Sequence, residues 1–321
     1  MNKVVSLPDL PEDIQFAIRL ESIFMPHARQ QRDAFYLKGG RFVHYTSAEA
    51  ALNIIRTKRI WMRNTTCMSD YREVQHGFQI LHEFFANKTK RDSFIKALDA
   101  CSEGVAQQAI DMFDQWWNDT QFRTYVTSVS EHDDKEDLHG RLSMWRAYGG
   151  NPARVALVFR LPFFSAGATS LNLMFSPVAY LTNSESHDVL GRVIKNVQNN
   201  VDFLRSVDRQ TIVLNIFSML VAGVTCLKHE GFHEEREWRA LYNPLRVQSA
   251  LMEGVTEVIG GVPQRIYKIP LDKAVSDALS DLDLVNIFDR LIIGPCPYPW
   301  AMYEAFTDVL TQAGLQNPRA V

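Results

Sequence analysis

The segment LKHEGFHEEREWRALY, residues 227–242, contains the residue types best suited to chemistry in this chain. Its first half carries the pattern His-Glu-x-x-His at His229, Glu230 and His233. On an α-helix, two histidines at this spacing lie one turn apart and can both bind zinc, while the glutamate polarises a zinc-bound water. The pattern therefore gives one hypothesis, a zinc-dependent hydrolase.

The surrounding residues weaken the zinc hypothesis. Gly231 lies inside the pattern and lowers helix stability by about 1 kcal/mol relative to alanine. The pattern also comes at the end of a predicted helical stretch, and the residues after it alternate as in a β-strand. A third zinc ligand would have to come from further along, at Glu253 or Glu257. We therefore interpret the histidines as part of the approach to a strand and expect no metal.

The second half of the segment offers two carboxylates, Glu235 and Glu237, around the start of a strand predicted over residues 236–242. Side chains two residues apart on a strand point to the same side. Two carboxylates that face one cleft suit a cationic transition state, such as cleavage of the N-glycosidic bond of NAD. We predict that Glu237 stabilises the ribosyl cation and that Glu235 activates or orients the acceptor.

Cleavage of NAD also needs groups that orient the riboses and stack on nicotinamide, and it needs no metal. The predicted NAD-binding residues lie at the ends of predicted elements: His44, Tyr45, Thr46, Ser130, Trp145, Tyr148 and Arg239. We expect His44 to anchor a ribose and Trp145 or Tyr148 to stack on nicotinamide. Structural roles stay open for these residues, as a core histidine, as packing aromatics and, for Arg239, as the ion-pair partner of Glu237.

The elements that must position these residues are short strands separated by long helical stretches. Alternation and β-branched residues predict strands at residues 41–47, 59–62, 122–130, 154–161, 175–181, 236–242, 264–271 and 289–295. Thr46 and Glu49 have the spacing of a capping box before a helix over 47–58, and Asp70 and Glu73 repeat that spacing. We therefore predict an α+β fold with small mixed or antiparallel sheets.

The same patterns predict a domain organisation. Residues 1–40 are expected to be an N-terminal helical extension, and residues 41–321 a single α+β catalytic-type domain. Helical insertions are expected at about 68–120 and 184–229. The most apolar run, TIVLNIFSMLVAGVTCL at 211–227, is too short and too close to charged helical sequence for a membrane span, so we predict a buried core helix.

Composition indicates an ordinary globular chain. The 321 residues are 46% hydrophobic and 22% charged, with a formal net charge of −3 that gives no general attraction to nucleic acid or membranes. The four cysteines, Cys67, Cys101, Cys226 and Cys296, are far apart and are expected to be free thiols. No secretory signal is evident at the N-terminus. We therefore expect a cytoplasmic protein without a membrane partner.

Several segments together resemble a bacterial family, Domain of Unknown Function 2971. They are FVHYTS, TSVS, LSMWRAYGG, VALVF, KHEGFHEEREWRAL and DRLIIGP, in the family's order from about residue 42 to 296. The resemblance implies no particular activity. It implies a loop before the strand that carries Glu237, in place of a zinc-binding helix.

A remoter resemblance is to the ADP-ribosyltransferase fold. Its histidine-type members have His-x-Thr or His-x-Ser on the first strand, a tyrosine on a helix after the next catalytic strand, and a glutamate that opens a later strand. His44-x-Thr46, Tyr148 and Glu237 match this order, Glu235 is similar to the first glutamate of Glu-x-Glu members, and Ser130 belongs to a similar serine strand. The resemblance implies an ADP-ribosyltransferase-like fold with NAD as substrate.

These observations lead to one preferred function and two alternatives. The preferred function is an ADP-ribosyltransferase-like enzyme that cleaves the nicotinamide bond of NAD, with a protein, a nucleic acid or water as acceptor, in bacterial defence or toxin biology. The first alternative is a non-catalytic binding module of a defence or stress system. The second is the zinc hydrolase through His229, Glu230 and His233.

Overall fold

The computed structural model describes residues 10–67, 71–117, 121–147, 153–162, 166–246 and 248–316. The chain divides into two compact units. The helical unit comprises residues 1–39, 66–122 and 176–233, and the sheet unit comprises residues 40–65, 123–175 and 234–321. The predicted N-terminal extension and both predicted helical insertions lie mainly in the helical unit.

The helices and strands are as follows. The helices are α1 (Glu12–Phe24), α2 (Pro26–Leu37), α3 (Ala48–Thr57), α4 (Tyr71–Ala86), α5 (Lys88–Asp99), α6 (Val105–Gln115), α7 (Leu142–Ala147), α8 (Ala166–Ser170), α9 (Asn183–Asn199), α10 (Val201–Arg205), α11 (Arg209–Thr225), α12 (Leu284–Ile287) and α13 (Pro299–Gln312). The strands are β1 (Arg41–Ser47), β2 (Arg59–Asn64), β3 (Tyr125–His132), β4 (Arg154–Phe159), β5 (Met174–Pro177), β6 (Ala179–Tyr180), β7 (Leu227–Lys228), β8 (Glu237–Tyr242), β9 (Glu253–Ile259), β10 (Val262–Pro270) and β11 (Phe288–Ile293).

A nine-stranded sheet dominates the described residues of the sheet unit. Its path is β11-β4-β1-β3-β2-β10-β9, and β8 pairs with both β3 and β5. Every pair along that path, and the β3–β8 pair, is antiparallel. The predicted mixture of helices with antiparallel strands is confirmed. The predicted small sheets are wrong in size, because these strands join in one sheet.

Strand β4 lies between β11 and β1 in this sheet, and both of its faces are covered. Leu157 belongs to a core with α3 and α13, whereas Ala156 and Val158 belong to a second cluster with Tyr45 and Met144. Alternate residues of a strand point to opposite faces, so a strand buried on both sides needs a continuous apolar run. The sequence VALVF meets that need.

Helix α11 is the centre of the helical unit. Its buried residues, from Ile212 to Thr225, cover most of its circumference, as expected of a helix largely surrounded by protein, although Leu214 is exposed. Gly77 of α4 lets that helix approach closely, because a Cβ there would lie 2.7 Å from the Val224 carbonyl oxygen. The predicted buried core helix is confirmed. In the described parts of the chain, no helix is long and apolar enough to cross a membrane.

The start of α3 differs by one residue from its prediction. The side chain of Ser47, not Thr46, accepts a hydrogen bond from the Ala50 amide at 3.2 Å and caps the helix. Both residues have a hydroxyl group that could cap, and only the backbone position of the turn decides between them. The predicted cap at Asp70 lies outside the described residues.

Candidate active site

The predicted site residues are concentrated on three neighbouring strands, β1, β3 and β8. Val43 of β1 lies opposite Ser130 of β3, and Ser130 lies opposite Glu237 of β8. Residues directly opposite in adjacent strands share a face, and alternation carries that face two residues further along each strand. Tyr45 and Arg239 therefore lie on the face of Glu237.

Strands β1 and β3 separate immediately after this point. Their pairing ends at Val43 and Ser130, while β1 stays paired with β4 as far as Ser47. The other half of β3 pairs with β2, at Val126 and Tyr125. A gap therefore opens in the sheet between β1 and β2.

The side chain of His44 bridges this gap. Its Nδ1 lies 2.9 Å from the Ser128 carbonyl oxygen. Because a carbonyl oxygen only accepts, Nδ1 carries the proton. Burial lowers the pKa of His44 below its ordinary value, while the hydrogen bond to Ser128 opposes that change. The imidazole is therefore neutral at neutral pH, and its Nε2, which has no hydrogen-bond partner in the described part of the chain, presents a lone pair.

Glu237 is a buried carboxylate that contacts Ser128 and Arg239. The Ser128 hydroxyl donates to its Oε1 at 2.5 Å. The Arg239 guanidinium donates from Nε to Oε1 at 2.9 Å and from Nη2 to Oε2 at 3.0 Å, so the pair is bidentate. His44, Ser128, Glu237 and Arg239 thus form one connected chain across three strands. This ion pair is the structural role that the sequence analysis left open for Arg239.

Glu235 does not share the face predicted for it. It ends a 3-10 helix, Glu230–Glu235, and β8 begins only at Glu237. Arg236 between them has a positive φ of 43°, so strand alternation does not extend back to Glu235. The prediction that both carboxylates point from one strand to one side is therefore wrong. Glu235 is half-buried and precedes the turn that leads to Glu237.

The turn that leads to Glu237 is fixed by residues the sequence analysis treated only as a charged loop. Arg236 donates to Asp133 Oδ2 at 2.5 Å and to Glu136 Oε1 at 2.6 Å. Arg141 donates to the Glu234 and Glu235 carbonyl oxygens at 2.8 and 3.0 Å. We call this group of Asp133, Glu136, Arg141 and Arg236 the clamp. The charged segment EHDDKEDLHGR, which contains three of the four residues, was its only signal in the sequence.

Tyr45 and Trp145 form an aromatic pair beside the same clamp. Their rings meet edge to face, with centroids 4.8 Å apart. The Arg141 amide donates to the Tyr45 hydroxyl at 2.7 Å, and Trp145 Nε1 donates to the His139 carbonyl oxygen at 2.7 Å. Both rings are thus held in fixed positions, Tyr45 on the face that carries Glu237.

The remaining predicted residues are less closely connected. Thr46 is half-buried on β1, on the face opposite Tyr45, and lies across from Val155. Ser130 is buried between Val43 and Glu237. Tyr148 lies outside the described residues.

The α-helix required by the zinc hypothesis is not formed. His229 precedes the 3-10 helix and accepts a hydrogen bond from the Gly231 amide at its Nδ1, at 3.1 Å. Nδ1 of His233 lies 3.0 Å from the Glu230 carbonyl oxygen, to which it donates. Within the ranges that the structure describes, no three His, Cys, Asp or Glu side chains are grouped as metal ligands.

Another buried charge, Arg41, was missed by the sequence analysis. It lies at the start of β1 and donates to Asp134, Asp137 and Asp289, at 2.6, 2.7 and 2.7 Å. Burial favours the neutral form of Asp289, but hydrogen bonds from Arg41 and Arg290 hold its pKa below the ordinary value. This network ties the ends of β1, β3 and β11 together beside the clamp.

Comparison with known proteins adds one result. Residues 144–240 match a family model described as Protein of unknown function (DUF2971). The match supports the predicted DUF2971 family. It runs from α7 into β8 and therefore contains Trp145, Glu235, Glu237 and Arg239, whereas His44 precedes it. Neither the curated proteins nor the solved structures contain a significant match to the chain.

Proposed function

We propose that this protein binds NAD and cleaves its nicotinamide–ribose bond as an ADP-ribosyltransferase-like enzyme. The observation that supports the proposal is the hydrogen-bonded chain His44, Ser128, Glu237 and Arg239, at the point where β1 and β3 separate. The resemblance requires a histidine of the first strand and a glutamate of a later strand to share one site. Here both contact Ser128, Glu237 at its hydroxyl group and His44, from the opposite face of the sheet, at its carbonyl oxygen.

Each side chain has a role that follows from its contacts. The lone pair on His44 Nε2 accepts a hydrogen bond from a ribose hydroxyl. The carboxylate of Glu237, held by Arg239, stabilises the positive charge that develops on the ribose. The fixed aromatic pair, Tyr45 and Trp145, provides a surface on which nicotinamide stacks. Thr46, Ser130 and Tyr148 are proposed to contact the nucleotide, and Glu235 to orient the acceptor.

The proposed reaction breaks the bond between ribose C1′ and the nicotinamide nitrogen, and the bonding electrons leave with nicotinamide. The acceptor then forms a bond to C1′ and loses a proton. The acceptor is a protein side chain, a nucleic-acid base or water, and the setting that we propose is bacterial defence or toxin biology.

The test is nicotinamide release from NAD by the Glu237→Gln variant. We expect the rate to fall by about 10²–10³-fold, the range for removal of one preorganised electrostatic group. The matched control is Glu253→Gln, which makes the same chemical change at an exposed residue of β9 and should release nicotinamide at the wild-type rate. A wild-type rate for Glu237→Gln would overturn the proposed mechanism.

One observation favours a second candidate, the non-catalytic binding module. Both carboxylate oxygens of Glu237 are engaged by Arg239, as in a buried structural ion pair. Calorimetry separates the candidates when NAD and ADP-ribose are titrated into the full chain. Binding of NAD without release of nicotinamide would support the binding module, whereas no heat with either molecule would exclude both uses of this site for NAD.

A further inference from the structure

The helical unit contains an apolar cavity of about 110 Å³. Its walls come from the start of α2, from α4, from α9 and from α11, and are mainly aliphatic side chains such as Leu81, Val189, Leu190 and Met219. All the lining residues belong to the helical unit, and none is a residue of the proposed NAD site. Any ligand of this cavity would therefore be recognised independently of NAD.

The size and lining of the cavity suit a small, largely apolar molecule. A cavity of about 150 Å³ lined by aliphatic and aromatic side chains stays dry and binds benzene. The cavity here is of that order, has a similar lining and is partly open to solvent, so a single six-membered ring suits it and can enter. The apolar wall favours such a ring over water, because an ordered water needs two to four polar partners.

His27 supplies a polar group on this wall. It lies on the first turn of α2, and neither imidazole nitrogen has a hydrogen-bond partner in the described part of the chain. The two serines on the wall are already engaged. The Ser186 hydroxyl donates to the Thr182 carbonyl oxygen at 2.9 Å, and the Ser176 hydroxyl donates to the Pro177 carbonyl oxygen at 3.2 Å.

The charges around His27 indicate a neutral ligand. Burial and the positive charge of Arg192 lower the pKa of His27, while Glu185 raises it. The imidazole is therefore uncharged at neutral pH, and the two nearby charges have opposite signs. A neutral imidazole presents one N–H donor and one lone pair, so a hydroxyl group can pair with either nitrogen.

We propose that this cavity binds a neutral single-ring molecule with one hydroxyl group, of the phenol class, and that the hydroxyl group forms a hydrogen bond with His27. The ring fills the space between α4, α9 and α11, and the hydroxyl group points to the start of α2.

Phenol and toluene test the role of His27, because they have nearly the same shape and differ in the hydroxyl group. Calorimetry on the full chain gives a dissociation constant for each probe. In the His27→Phe variant, we expect phenol to lose at least about fivefold in affinity relative to toluene, since a buried hydroxyl group is left without a partner. Equal changes for the two probes would overturn the role of His27.

Variants that fill the cavity test whether the probes bind there. Ala222→Phe places a ring in the space and should abolish saturable binding of both probes, while Ala86→Phe, at an exposed position of α4, should leave both affinities unchanged. Val189→Phe on α9 gives the same test if Ala222→Phe does not fold. The site is wrong if the wild-type chain binds neither probe, or if a folded filled variant binds them as the wild type does.

Discussion

At the scale of single residues, the ion pair of Glu237 and Arg239 can serve folding stability or catalysis, and different measurements test these two roles. A buried ion pair gains little over well-packed neutral residues, but removal of one partner leaves an uncompensated charge. Glu237 and Arg239 are both almost fully buried, with side chains 9% and 4% exposed. Stability and activity should therefore respond differently when the pair is broken and when it is neutralised.

We predict that Arg239→Met lowers the free energy of unfolding by about 3–5 kcal/mol, because the Glu237 carboxylate loses its bidentate partner. The double variant Glu237→Gln with Arg239→Met should recover most of that loss, since no unpaired charge remains, yet should not release nicotinamide. Urea unfolding and the nicotinamide assay measure the two effects.

Arg205→Met is the matched control for this experiment, because the Arg205 side chain is 59% exposed and pairs with an exposed carboxylate. It should change the free energy of unfolding by less than about 1 kcal/mol. A double variant as unstable as Arg239→Met would show that the loss comes from packing and not from the unpaired charge.

At the scale of elements, local sequence predicted the strands well and the turns between them less well. Alternation located β1 and β8 because it depends only on which side chains face the core. It failed at Glu235, because the conformation of Arg236 is set by contacts to Asp133 and Glu136, which are 103 and 100 residues away. No local pattern contains those contacts.

The same limit applies to the sheet and to the site. Most strands of the sheet were predicted from the sequence, with β9 missed, but the pairings that join them in one sheet are long-range and leave no local pattern. The resemblance brought His44 and Glu237 together as candidates, and the structure links them through Ser128. The separation of β1 from β3 beside His44 could not be foreseen, because it depends on which strands β3 pairs with along its length.

The cap of α3 gives a prediction at this scale. Ser47→Ala should lower the free energy of unfolding by about 1 kcal/mol, because the Ala50 amide loses its side-chain acceptor. Thr46→Ala is the control at the neighbouring position and should cost less than half as much, since Thr46 does not cap the helix. Urea unfolding of both variants provides the comparison, and a larger loss for Thr46→Ala would place the cap at the residue first predicted.

At the scale of the whole molecule, a net charge of −3 does not reveal the network of carboxylates around the buried Arg41. Arg41 reaches Asp134 and Asp289, which are 93 and 248 residues away in the chain. The amino-acid composition gives the number of charged residues but does not show which of them form ion pairs. The network stabilises the folded state only while its carboxylates are ionised, so the protein should lose stability in acid.

The pKa values of Asp289, Asp137 and Glu136 are lowered in the folded state, because hydrogen bonds and charges from arginines outweigh burial. A carboxyl group with a lowered folded pKa stabilises the protein above its unfolded pKa, here 3.8 or 4.5, and that stabilisation is lost as the pH falls through the folded pKa. The buried imidazoles of His44 and His132 also have lowered pKa values, so their contribution is complete above 6.5 and decreases below it.

We therefore predict that the free energy of unfolding falls continuously from about pH 6.5 downward and most steeply between about pH 5 and pH 2, as measured by urea unfolding across that range.

Asp289→Asn should be less stable than the wild type at pH 7, because Arg41 and Arg290 lose a carboxylate partner. It should also depend less on pH below about 5, because one carboxylate with a lowered pKa has been removed. Asp92→Asn, at an exposed position of α5, should keep the wild-type dependence. If Asp289→Asn and Asp92→Asn had the same slope, the acid sensitivity would have to come from carboxylates outside the Arg41 network.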